Sequence, residues 1–393
     1  MLAIKRILGE GFRVFFLFAG LYGVFTGLIW ATWLFAQSSD GDSFLNVTNP
    51  QLWHSHEMIF GYAGAAMGGF FLTAVPNWTN TPAARMSFLS VAAGIWLAGR
   101  LAMWFSGGLP PWSVAAIDLL FVPILALKIA TQLIKRPKPQ NMMFLLILTL
   151  LWLGNLSVHL EWTGVLEDSA NSGLRVGLFA LCAMIVVLGG RITPAFTRNA
   201  MKREGVEEDL WPVSVPRIEK AALILTLSLP VLVLFQVPIQ APGAVAIALG
   251  LVQLVRLARW RGGWAWKQPI LFALHLGLAM LAFGLIFWGA AAFGFGDEIS
   301  AVHLVGIGGV GGMTLAVMSR AALGHSGRPL IAPRAVSFAY GLIAITAIAR
   351  WVAASLDTEA YFVMMGGISL LWALVFLLFT MSLWSALTQP KIK

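Results

Sequence analysis

The chain has 393 residues, 59% of them hydrophobic and 11% charged, with a mean hydropathy of +0.82. A water-soluble domain of this length could not hide so much apolar surface in one core, so an all-α polytopic membrane protein is expected. The formal charge of +9 does not imply a nucleic-acid partner, because Lys and Arg fall in short segments between apolar runs and form no aromatic-interleaved patch; they read as topology signals for a lipid bilayer.

Lys5, Arg6 and Arg13 precede the first apolar run, Val14 to Ala36, which is too long for a signal-peptide core and reads as an uncleaved first span with its N-terminus inside. Further runs of about twenty residues, enough to cross a bilayer, complete a set of about twelve. They lie near 14–36, 57–76, 86–105, 113–134, 142–161, 174–193, 218–237, 241–259, 269–293, 299–319, 335–355 and 361–387. The basic residues gather at the two termini and in every second loop, with Arg100, Arg175 and Arg350 as exceptions. That places both termini in the cytoplasm. The opposite loops carry Asp40, Asp42, Glu167, Asp168, Asp297, Glu298, Asp357 and Glu359, in agreement. No soluble domain fits between the spans, so residues 1–393 read as one transmembrane domain. Gly68-Gly69, Gly189-Gly190 and Gly311-Gly312 recur at near-equal spacing, each near the inner end of a span. Either three pseudo-repeats of four helices, near 1–134, 135–259 and 260–393, or ordinary small-residue helix packing accounts for them.

The residues that could carry chemistry follow in chain order. His54 and His56 stand at the outer mouth of the second span, where poorly hydrated polar groups are expensive unless coordinated or paired. Two helical residues two apart point about 200° from each other, so the pair cannot chelate one ion from one face. Each is either a metal or heme ligand or an interfacial hydrogen-bonding group. Arg100 and Arg350, near the outer ends of the third and eleventh spans, suit bidentate pairing with a carboxylate. Heme propionates would satisfy them, and so would snorkelling or a bond to Asp118 or Glu57. Asp118 itself is either such an arginine partner or a proton-path group. His159 closes the fifth span beside Glu161 and Trp162, and His303 enters a glycine-rich tenth span that would let a flat ring approach the backbone. His275 sits inside the ninth span and His325 in a cytoplasmic loop. The lone cysteine, Cys182, lies mid-span and excludes an intrachain disulfide, a thiolate zinc site and an iron–sulfur cluster.

Several segments together resemble the NnrS family: Trp53-His54-Ser55-His56-Glu57-Met58 with Gly61-Tyr62, Phe71 to Trp78, Gly189-Gly190-Arg191 with Pro194 and Phe196-Thr197, His303-Leu304, Met313 to Ala321, and Gly324 to Arg328. The resemblance implies a bacterial inner-membrane protein containing heme, b-type and one or two in number, together with copper, and connected with nitric oxide and nitrosative stress. The span count is also similar to the catalytic subunit of heme-copper oxidases and nitric oxide reductases, in which histidines of helices two and ten hold a heme. His56 and His303 occupy those places here and become the first choices for axial ligands, with His54 serving a second metal or heme and His159 copper or heme. This chain departs from that pattern in carrying its two-apart histidine pair on the second span and no histidine on the sixth or seventh. The function expected is binding of nitric oxide, followed by reduction with electrons from a donor that the residues do not name, or by sequestration. The alternative is a secondary transporter of a metal, heme or small solute.

Overall fold

Apolar runs of this length fold as helices in a bilayer because each backbone N–H and C=O must find its partner within the segment. The structure, a computed structural model, describes residues 2–38, 45–47, 49–355 and 358–392, and all regular secondary structure among them is helical. Asp40, Asp42 and Asp357, three of the acidic residues assigned to outer loops, lie outside the described residues. The long helices are α1 (Gly11–Gln37), α2 (Pro50–Thr79), α3 (Met86–Trp104), α4 (Pro111–Leu133), α5 (Pro139–Trp162), α6 (Ala170–Arg203), α7 (Pro216–Leu234), α8 (Gln240–Arg259), α9 (Pro269–Ala291), α10 (Glu298–His325), α11 (Arg334–Val352) and α12 (Tyr361–Thr388). Eleven of these are long and apolar enough to cross a membrane. The remaining one, α7, coincides with the expected seventh span but carries Arg217, Glu219 and Lys220 in its first turns, which shortens its uncharged stretch.

The chain forms two compact units. The first comprises Met1–Leu178, Ala321–Pro329 and Phe362–Lys393; the second comprises Phe179–Arg320 and Leu330–Tyr361. In the first, α1 packs against α2 and α12. Arg13 donates from Nη1 to the carbonyls of Ala386 (3.0 Å) and Gln389 (2.8 Å), placing a cation on the C-terminal end of α12, where the helix dipole favours it. In the second, α9 lies against α8, α10 and α11. Small residues set that spacing: a Cβ on Gly277 would stand 2.9 Å from the Met313 side chain.

Helices α2 and α10 share an irregularity. α2 starts with Asn49 accepting from the Leu52 N–H (3.0 Å) and with Pro50 at the first position, a strong start signal. It runs as α-helix to His56, widens into π-helix over Glu57–Tyr62, and resumes as α-helix to Thr79. α10 starts with Asp297 accepting from the Ser300 N–H (2.7 Å), runs as α-helix to His303, and widens over Leu304–Gly311. In both, the wide turns begin directly after a histidine. Such insertions into an α-helix concentrate at functional sites.

Candidate functional site

The first unit carries a buried polar cluster built by five helices. α1 contributes Tyr22, α2 His56 and Glu57, α3 Arg100, α4 Asp118, and α5 Asn155 and His159. His56 and Glu57 are fully buried, and Arg100, Asp118, Asn155 and His159 nearly so. Arg100 spans two carboxylates, donating from Nη1 to Glu57 Oε1 (2.6 Å) and from Nη2 to Asp118 Oδ1. The Tyr22 hydroxyl donates to Glu57 Oε2. Of the partners the sequence left open for Arg100, the chain's own acids are the ones it meets.

The cluster is shaped by the π-helical turn of α2. A Cβ on Gly61 would stand 2.6 Å from Arg100 Nη1 and 2.9 Å from the Tyr22 ring, so only glycine lets the guanidinium cross α2 here. The Gly61 carbonyl accepts from the indole N–H of Trp96 (3.0 Å), so this carbonyl in the widened turn has a partner from α3. Trp162 covers the imidazoles, its ring 5.6 Å from His56 and 5.3 Å from His159. α5 is held close to the start of α6 because Gly154 and Gly173 have no side chains: a Cβ on Gly154 would lie 2.7 Å from the Gly173 carbonyl oxygen.

Around Asp118 the bonds converge on one oxygen. Oδ2 faces Asn155 Nδ2 at 2.8 Å, His159 Nε2 at 3.0 Å and His56 Nε2 at 3.3 Å. His56 also reaches Glu57 Oε1 through Nδ1 (2.9 Å) and Asn155 Oδ1 through Nε2 (2.8 Å). One ligand atom from each of His56, Asp118 and His159 lies within 4.8 Å of the others, a spacing that suits a single metal ion. His159 Nδ1 is buried without a hydrogen-bond partner among the described residues.

The other candidates sit elsewhere. His54 does not join the cluster; its ring stacks on Trp30 at 4.2 Å, nearly parallel. His303 belongs to the second unit, where it is partly buried and its Nδ1 lies 2.7 Å from the Ile299 carbonyl. That carbonyl can only accept, so Nδ1 carries a proton, and in the neutral form of the ring Nε2 is the nitrogen with the lone pair. Arg350, in the same unit and 7% exposed, has its Nη1 buried with no hydrogen-bond partner among the described residues. Among the described residues nothing lies within 4 Å of a Cβ placed on Gly306, one turn beyond His303. His275 Nε2 is 3.1 Å from Thr197 Oγ1, and the His325 ring lies 5.7 Å from that of Phe12.

Sequence reasoning missed Tyr22 and Asn155 altogether, and took Glu57 only as a partner for Arg100. A signal for Asn155 existed: it stands one helical turn before His159 in an otherwise apolar run, so the two share a face.

A family model described as NnrS protein matches residues 6–391. No curated protein matches the chain.

Proposed function

The chain belongs to the NnrS family, and on that premise we propose that it is a nitric oxide response protein of the bacterial inner membrane, binding the gas at a heme iron and either reducing or sequestering it. The observation that carries the reading is the state of His303. An imidazole whose Nδ1–H is tied to a backbone carbonyl has the arrangement typical of metal-ligating histidine, which sets the ring direction and, in the neutral form, leaves Nε2 as the ligating nitrogen. The unpartnered Nη1 of Arg350, in the same unit, suits a carboxylate such as a propionate. The open side of Gly306 leaves room beside the backbone for a flat ring. His303 would hold the iron and Arg350 a propionate. A heme held there would supply an exchangeable coordination position and a route for single electrons. The residues of the chain tie down the ligand, balance the propionate charge and keep the surroundings apolar.

The test is an absorption spectrum of the purified protein, oxidised, dithionite-reduced and then exposed to nitric oxide. A Soret band that moves on reduction and again with the gas, and that is lost in His303→Ala, is expected. A folded preparation without a Soret band refutes the heme reading and leaves transport of a metal, heme or small solute as the alternative.

A further inference from the structure

In the first unit we infer a second, independent site: His56, Asp118 and His159 bind one divalent first-row transition-metal ion through two imidazoles and a carboxylate. Asn155 Nδ2 faces Asp118 Oδ2, and a carboxylate oxygen accepts, so the amide orientation is fixed and Asn155 Oδ1 must face His56 Nε2. His56 Nδ1 faces Glu57 Oε1. Both nitrogens of one buried imidazole therefore look at oxygen acceptors, and a neutral ring can satisfy one of them. The Nε2 side calls for a cation, which is either a proton or a metal ion.

Charge points the same way. Glu57 and Asp118 place two carboxylates in the cluster, and Arg100 is its one permanent cation among the described residues. An excess negative charge buried in a membrane protein is costly until something positive joins it. The geometry suits an ion in that role. With ligand bonds of about 2.1 Å, the edge of a coordination tetrahedron is about 3.4 Å. Asp118 Oδ2 stands 3.3 Å from His56 Nε2 and 3.0 Å from His159 Nε2. His159 Nδ1 has no hydrogen-bond partner among the described residues, so that edge of the ring is free to turn toward an ion. Glu57 and Asn155 then act as positioning residues, holding His56, while Arg100 holds the far oxygen of Asp118. Two imidazoles with one carboxylate suit iron(II), zinc or copper(II), and leave positions open for a further ligand.

The experiment uses full-length protein in detergent, stripped with chelator and offered Fe²⁺, Zn²⁺ or Cu²⁺ singly, with bound metal measured by mass spectrometry. Co²⁺ serves as an optical probe of the coordination shell. The wild type should take up one ion per chain. Binding should weaken at least about tenfold in His159→Gln, in line with the usual loss on damage to a metal site. The cobalt bands should vanish in that variant. His159→Gln leaves the Arg100 ion pairs intact, so it is the deciding variant if Asp118→Asn fails to fold. His303→Ala should bind the ion as the wild type does, which keeps this test separate from the heme reading. Equal uptake by wild type and His159→Gln overturns the inference. So does a folded wild type that takes up none of the three ions, which would leave a proton as the cluster's cation.

Discussion

Replacing Arg100 by Gln removes the permanent positive charge from between Glu57 and Asp118. At charge separations of about 4 Å and an effective dielectric of about 20, each ion pair is worth about 4 kcal/mol, or about 8 for the two. Burying the guanidinium, which is 6% exposed, offsets several of these. The net loss on substitution should be about 3–5 kcal/mol, the range for breaking a buried pair and leaving its partners charged. The assay is equilibrium unfolding in mixed micelles, read by tryptophan fluorescence. The same substitution is then made in a Glu57→Gln, Asp118→Asn background. There the carboxylates are already neutral, and losing the cation should cost no more than about 1 kcal/mol. Equal losses in the two backgrounds would refute the reasoning, since they would mean that Arg100 acts through packing and not through charge.

Two further outcomes follow from packing and capping. Gly154→Val should cost about 1–3 kcal/mol, because its side chain would push against the Gly173 carbonyl and the Gly177 N–H. It should also lower metal uptake, since Asn155 and His159 ride on the displaced helix; an unchanged melting temperature would show that α5 and α6 are not in close contact. Asp297→Ala should cost about 1 kcal/mol by uncapping α10. Partial burial raises the Asp297 pKa, but bonds from the Ser300 hydroxyl and N–H outweigh it and hold the carboxyl below its ordinary value. Its contribution is therefore present above the usual carboxylate pKa and is lost as pH falls through the lower folded value. The stability difference between wild type and Asp297→Ala should shrink on acidification, and a difference that grows would reverse the sign.

The spans were legible because the bilayer demands length and apolarity, and both are local properties of the chain. The remaining long helix, α7, is a helix where a span was expected, but the charges in its first turns leave it outside the eleven helices apolar enough to cross. The site was legible only in part. His56, Arg100, Asp118 and His159 stood out as polar groups in apolar runs, each costly alone. Which of them meet was not readable, because that depends on how helices far apart in sequence are rotated about their axes. Tyr22 shows the limit: a tyrosine in an apolar helix looks like any interfacial aromatic until Glu57 is found beside its hydroxyl. The widened turns were likewise hidden, since runs such as Leu304 to Gly311 fit an ordinary helix equally well on composition.

Those widened turns make α2 and α10 work as two rods spliced out of phase. In α2 the segment before the splice aims His56 at the acid on α4, and the segment after it sets Gly68 and Gly69 flush against the phenylalanines of α1. A continuous thread of uniform pitch would tie these two orientations together, so that correcting one misdirects the other. The splice uncouples them, and a residue inserted or removed there would re-aim one end while leaving the other seated.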